Sequence, residues 1–502
     1  MKSKKLFILL AILLLGSIPL LSEINEEAEV YFDKGLDYFE ESLFDEAIEY
    51  YEKAIEIEPN YVEAYYNMGI AYDDKGNYDK AIECYRKAIE IEPNFAEAYN
   101  NMGFAYGNKG NYDKAIEYYQ KAIEIDPNDE DAYNNMGAAY GISGNYDKEI
   151  KCYQKAIEKN PNYADAYYNM GVAYYNKENY DKAIECHEKA VEVDPNHADA
   201  YYNMGVAYYN KGNYDKAIEC FQKVIEINPD FEKAYNNMGN AYTNAGNYER
   251  AIECYQKAVE IDPDFTDAYY NMGLVYADTG NDDKAIECYQ KAVEIDPSYA
   301  DAYYDMGSVY ADTGNHDKAI KCFQKVIEID PAYAKAYFNI GFAYADTGNF
   351  ERAIECYQKA VEIDPGIAKA YNNMGLVYTD TGNDDKAIEC YQKAVEVDPN
   401  HADAYYNMGV AYADTGNDDK AIECFQKVIE INPDDADAYY NLGIALYIKR
   451  RTISAIDNIY QAGLLYLKQN NRQEVLHTID VMKRLKPDSH LIQKLMDKLY
   501  EE

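Results

Sequence analysis

Proline returns every 34 residues along this chain, at Pro59, Pro93, Pro127, Pro161, Pro195, Pro229, Pro263, Pro297, Pro331, Pro365, Pro399 and Pro433. A fixed period between about 20 and 50 residues marks a solenoid, because each unit is one supersecondary element that buries its apolar face only against its neighbours. Length alone would suggest several globular domains for 502 residues, but no linker or low-complexity stretch interrupts the period before Pro433. The period predicts one continuous array.

The stretch from Ala198 to Phe231 shows what one unit contains. Tyr201, Met204, Gly205 and Tyr208 fall at i, i+3, i+4 and i+7, one face of a helix. Ala217, Ile218, Phe221, Val224 and Ile225 give a second helix. Between them Gly212 suits the left-handed residue that ends a helix, and Asn213 suits the N-cap of the next. Asp215 lies in the first turn, where the helix dipole favours an anion. Pro229 stops the second helix, and Asp230 is expected to cap the first helix of the following unit. Gly205 and Ala217 are small enough for the two helices to lie close together. The fold class read here is all-α, built from stacked antiparallel helix pairs.

In the unit from Val62, the residues Tyr65, Met68, Gly69, Tyr72, Ala81, Tyr85, Ala88 and Pro93 stand at the positions of a known signature. The pattern resembles the tetratricopeptide repeat, with tyrosine in place of the family's frequent tryptophan; the chain contains no Trp. The resemblance covers roughly residues 28 to 490. It implies a right-handed superhelical solenoid whose first helices line a concave groove used to bind other proteins.

Lys2, Lys4 and Lys5 precede an apolar run from Leu6 to Leu21, broken by Gly16, Ser17 and Pro19 before Ser22. A basic start, a short apolar core and a small exit residue describe a signal peptide over residues 1–22, and hence export to a periplasm, cell envelope or medium. The alternative is an uncleaved N-terminal membrane anchor, although the run is shorter than the roughly 20 residues needed to span. Residues 23–435 are read as twelve units, the first from residue 28. Residues 436–487 are degenerate, phase-shifted units, and 488–502 a C-terminal capping helix. The net charge of −42 argues against nucleic acid as a partner, since neutralising phosphates takes Lys and Arg clusters. It also disfavours docking of the whole chain on anionic lipid, leaving the membrane a partner only if the N-terminal segment is retained.

Several units depart from the pattern. Asp33, Ser42 and Phe44 make the first unit atypical, as an end cap should be. Glu178 replaces the interhelix glycine, Glu149 a packing alanine, and His187 the core aromatic. From Phe265 onward the turn GNYD becomes TGNDD in most units, so that Asp282, Asp384 and Asp418 stand where Tyr78, Tyr214 and Tyr248 stood; these later hairpins are expected to be looser. Beyond Pro433, Leu446 and Arg450 occupy the tyrosine and glycine positions, Ile459, Gly463, Tyr466 and Pro487 restart the pattern in a new register, and the charge turns positive over 449–502. Leu491, Leu495 and Leu499 mark the final amphipathic helix.

No constellation for catalysis or a cofactor is legible. Asp278-Thr279-Gly280 recurs at Asp312, Asp346, Asp380 and Asp414, but the aspartic protease triplet it resembles needs a strand and a paired carboxylate. The same turns miss the EF-hand spacing, and neither a phosphate loop nor a metal-binding His pair is found. The reading is a protein that is not an enzyme. Ten cysteines, from Cys84 to Cys424, share one position of the second helix. Equivalent positions in stacked helices lie about 8–10 Å apart, beyond the reach of a disulfide, so none is expected.

The candidate binding residues form columns on the first helices. Asn67, Asn101, Asn135, Asn169, Asn203, Asn237, Asn271, Asn339, Asn373, Asn407 and Asn441 make one column, interrupted by Asp305, on the side away from the core face. An amide offers donors and an acceptor, so a ladder of them suits the backbone of an extended peptide. Tyr168, Tyr202, Tyr270 and Tyr304 beside it would add aromatic contact. The family's basic clamp for acidic C-termini is not matched, because Glu63, Glu97 and Asp165 lie nearby; Lys233, Lys335 and Lys369 are isolated cations. The function expected is a noncatalytic scaffold binding extended or basic segments of other proteins in an acidic groove. A substrate-presenting subunit of an enzyme complex and a membrane-anchored assembly platform are the alternatives.

Overall fold

The computed structural model describes residues 25–501. The signal segment read over residues 1–22 lies outside them. Among the described residues there are helices and no strands, and no helix is long and apolar enough to cross a membrane. The chain divides into two compact units between Asp262 and Pro263.

In the first unit the hairpin of Val62–Asp74 and Tyr78–Ile91 serves as pattern. The first helix buries Ala64, Met68, Gly69, Ala71 and Tyr72; the second buries Ala81, Ile82, Cys84, Tyr85 and Ala88. The close approach depends on Gly69, where an added Cβ would lie 2.5 Å from the Tyr85 ring. Gly76 turns the chain at φ +73°, and the Gly76 and Asn77 amides donate to the carbonyls of Asp73 and Tyr72 at 2.8 Å, closing the helix C-terminus. The Asn77 side chain then accepts from the Lys80 amide as N-cap. At the far end Glu92, before Pro93, is extended, as the proline ring requires.

The residue after that proline does not cap the next helix, contrary to the role expected for Asp230. The first helix after Pro229 begins at Glu232 with Phe231 at its N-cap and no side-chain cap. A cap forms only where this N-cap position holds a short polar acceptor or histidine, as at Asp129 and His197. In most other repeats an aromatic ring fills the position, and in one Ile367 does.

The left-handed turn residue is kept even without glycine. Glu178 stands at φ +58°, and so do Ser42 at +61°, Arg450 at +60° and Asn470 at +57°. The packing of the two helices dictates the dihedral there, at a cost of about 1 kcal/mol for a side chain with a Cβ.

The second unit repeats the hairpin with different turn chemistry. In the first unit turn lysines reach back to the preceding second helix, pairing Lys75 with Asp45, Lys109 with Asp79, Lys177 with Asp147 and Lys211 with Asp181. Threonine takes that position at Thr313, Thr347 and Thr415, and its hydroxyl instead donates to its own helix, to Val309, Ala343 and Ala411. The N-cap bonds weaken in parallel. Asn77, Asn111, Asn145, Asn179, Asn213 and Asn247 all cap their helices, whereas Asn281, Asn315, Asn349 and Asn417 make no such bond. Asp282 and Asp418 give two of those helices an additional N-terminal anion, whereas Asn383, followed by Asp384 and Asp385, keeps its cap.

Near the end, the 17-residue helix Thr452–Lys468 packs against Ala436–Ile448 on one side and Arg472–Leu485 on the other, serving two hairpins at once. Ile459, Tyr460, Val475, Met482 and, from the last helix, Ile492, Leu495 and Leu499 close one core there.

Candidate functional site

Each first helix packs its Ala, Met and Gly positions inward, which leaves a stripe at i, i+4 and i+7 pointing out; in one helix these are Glu63, Asn67 and Ile70. Because the first helices of each unit lie side by side, the stripes assemble into columns.

The asparagine column is half-buried throughout, and its amides join one repeat to the next. In the first unit Asn101 donates to the Tyr66 hydroxyl at 3.0 Å, Asn135 to the Asn100 carbonyl at 3.2 Å and Asn169 to that of Asn134 at 3.1 Å. Asn203 donates to the Tyr168 hydroxyl at 3.2 Å, and Asn237 to that of Tyr202 at 2.9 Å. In the second unit Asn339, Asn407 and Asn441 do the same with Tyr304, Asn372 and Tyr406. At Asp305 the polarity reverses: the Tyr270 hydroxyl donates to the carboxylate at 2.8 Å, and burial raises the pKa of that carboxyl.

Two rungs fail for a chemical reason. The residue opposite Asn67 is Phe32 and that opposite Asn373 is Phe338, neither of which has a polar atom to offer. Asn67 turns back to its own helix, donating to the Glu63 carbonyl at 2.8 Å. Asn373 instead faces Asn372, which donates to it at 3.5 Å. Asn271 occupies the equivalent half-buried position on the helix Thr266–Asp278.

Where a rung is formed, one N–H of the amide is used between repeats; at Asn237 the side-chain oxygen is used as well, accepting from Asn236 at 3.3 Å. The flanking tyrosines are similarly engaged. Tyr168 packs its ring on His187 and His197, Tyr202 on Phe221 and Phe231, Tyr270 on Tyr289 and Tyr299, and Tyr304 on Phe323 and Tyr333, with centroids 4.9–5.9 Å apart. Their ring faces are therefore held inside the array, and each hydroxyl is directed at the ladder.

A column that sequence reasoning missed lies three residues beyond the asparagines. Phe104 is 48% exposed, Phe342 49% and Leu376 40%, and Ile70, Val206 and Val410 stand half-buried at the same position. The signal was present: once the asparagines were assigned to an outward stripe, every residue at i+3 belonged to it, yet most are apolar. On the other side of the asparagines runs an exposed acidic column, with Glu63, Glu97, Asp131, Asp165 and Asp199 in the first unit.

The ten cysteines are free thiols, nine of them buried. Burial pushes the Cys84 thiol up to about 12 and that of Cys152 up to about 11, which makes both poor nucleophiles. His187 is fully buried under Gly171, with neither ring nitrogen bonded. Burial lowers its pKa to about 4, so the ring is a neutral core filler. Among the described residues no cluster of three or more His, Cys, Asp or Glu is placed to hold a metal.

Comparison with protein families matches the chain repeatedly. A model described as tetratricopeptide repeat matches residues 62–95, 96–129, 164–197 and 198–231, and a second of the same description matches 118–151 and 220–253. One described as TPR repeat matches 35–76, 142–178 and 239–280. The C-terminal domain of cilia and flagella-associated protein 70, itself a TPR model, matches 265–476. A search of curated proteins found no match. Among solved structures, MamA is 32% identical over 34% of this chain and 92% of its own, with a TM-score of 0.32. YrrB, titled a TPR protein with an unusual peptide-binding site, is 29% identical over 37% and 96%, with a TM-score of 0.33. The APC/C hetero-tetramer Cut9–Hcn1 is 14% identical over 94% and 96%, with a TM-score of 0.36. With its period, its glycine-on-aromatic hairpins and family matches running from residue 35 to 476, the chain belongs to the tetratricopeptide repeat family.

Proposed function

We propose that the chain is a noncatalytic scaffold that holds extended protein segments along its first helices, selecting those rich in basic and apolar side chains. The observation that carries the reading is the order of residues across a first helix such as Ala96–Asn108: a carboxylate at Glu97, the column asparagine at Asn101, then the exposed Phe104, with lysine at the first position only in Lys233, Lys335 and Lys369. Asparagine carbonyls suit backbone N–H groups of an extended segment, Phe104 and its equivalents suit apolar side chains, and Glu97 and its equivalents suit lysine or arginine. Each contact is weak, and many in series raise the total affinity. Export by the 1–22 segment is part of the proposal. Protein purified from its native host should begin near Glu23; a chain starting at Met1 would instead make the Leu6–Leu21 run an anchor.

Fluorescence anisotropy with labelled extended peptides tests the binding reading. Peptides alternating lysine and leucine should bind the full chain, and ones alternating glutamate and serine should not. Phe104→Ala and Val206→Ser together should weaken binding severalfold while leaving helicity unchanged. Equal affinity for both peptides, or an affinity indifferent to the paired substitution, would refute the proposal.

A further inference from the structure

The turn between the helices Ala436–Ile448 and Thr452–Lys468 differs from other turns of the array in one consistent direction. Ile448 stands where Asp278, Asp312, Asp346, Asp380 and Asp414 stand in earlier units, and Ile453 where Asp283, Asp317, Asp385 and Asp419 stand. Arg450 takes the glycine position at φ +60°, which a Cβ disfavours. Arg451 takes the N-cap asparagine position and makes no side-chain cap. The Arg450 replacement costs the hairpin stability, so folding does not account for it. Two of the changes replace an acid with an apolar side chain, and the other two add a cation.

The side chains are presented outward. Ile453 is 71% exposed, Ile448 56% and the adjoining Tyr447 38%. Arg450 and Arg451 are exposed and have no ion-pair partner among the described residues, while Lys449 pairs with Asp419 at 2.8 Å. Between Asp437 and Asp457 the chain carries no acid. Two bare isoleucines flanking two unpaired arginines on a protruding turn match the boundary between headgroups and acyl chains of an anionic bilayer. We infer that the Tyr447–Ile453 turn is a membrane-docking tip for anionic lipid. The overall negative charge does not forbid this, because charges beyond about 10 Å are screened at moderate salt; it limits contact to the tip and so orients the chain.

The absence of tryptophan supplies a site-specific probe. Full-length protein carrying Ile453→Trp should show a blue-shifted emission with phosphatidylglycerol vesicles and quenching when the lipids are brominated. Phosphatidylcholine vesicles or high salt should greatly reduce both signals. Adding Arg450→Gly and Arg451→Asn, the residues the array uses at other turns, should raise thermal stability yet shift the vesicle titration by about thirtyfold, the loss expected for two surface cations. The same reporter placed by Thr313→Trp in an acidic turn should not respond. Emission unaltered by phosphatidylglycerol, equal response of both reporters, or a blue shift that needs only protein concentration and no vesicles would overturn the inference; the last would mean self-association.

Discussion

Glu149 offers a sharp energetic test, because the chain contains its own control. The carboxyl occupies a position that is alanine in most other units, and it is only 6% exposed. Its Oε1 receives the Tyr153 hydroxyl at 3.3 Å, while Oε2 has no partner. Room for it comes from Gly141, where an added Cβ would lie 2.5 Å from Oε1. Burial raises this carboxyl from its ordinary 4.5 to about 7. A group whose folded pKa lies above its unfolded one contributes stability that is complete below pH 4.5 and is lost as pH rises through 7. At 1.36 kcal/mol per unit the shift sets a ceiling near 3 kcal/mol, and about 2 kcal/mol is reasonable once residual hydration is allowed for. Glu149→Ala recreates the Gly107–Ala115 arrangement already present one unit earlier, in which a Cβ on the glycine would sit 3.9 Å from the alanine. The substitution forfeits one buried methylene, about 0.8 kcal/mol. The variant should therefore be slightly less stable than the parent at pH 5 and about 1 kcal/mol more stable at pH 8.5. Hydrogen exchange over residues 130–159, corrected for intrinsic rates, reads this locally, where a single global unfolding energy would be ill-defined for a repeat array. The parent–variant difference should move by about 2 kcal/mol between the two pH values. A difference independent of pH would show that the carboxylate is hydrated and the burial argument wrong.

The ladder predicts unequal costs within one column. Asn203→Ala should destabilise its own repeat by about 1 kcal/mol in local hydrogen exchange, and Asn67→Ala, whose rung is missing, by much less; equal losses would deny the inter-repeat bonds a role. Exchange should be faster at the turns before Asn281, Asn315, Asn349 and Asn417 than at those of the first unit, given their missing lysine–aspartate pairs and N-caps, and equal protection would remove that conclusion. A thiol reagent at pH 8 should label the native protein slowly and all ten cysteines after unfolding; fast native labelling would contradict the burial of the row.

How far the sequence foretold these features follows from what repeats and what depends on contact. The hairpins, their glycine turns and the close approach of the two helices at the small residues Gly205 and Ala217 were legible because local rules, copied in phase, reinforce one another. The asparagine column could be placed on the correct face by helical period alone. Its bonds could not, because they depend on the residue 35 positions earlier in a neighbouring repeat: Tyr66 or Asn100 completes the rung, Phe32 or Phe338 leaves it open. The same separation of local from non-local explains the N-cap of the first helices, expected at Asp230 but found at Phe231, since the ring packs on the helix and sets where it begins. It also explains the turn at Arg450, which reads as decay of the pattern until exposure is known. Loss of a repeat rule without loss of the dihedral it serves marks a position held by packing and free to change its side chain. In this array such positions include Glu178 and Arg450, and only the second is joined by neighbouring replacements of matching chemistry. That concentration, rather than the lost glycine alone, separates a built surface from tolerated drift.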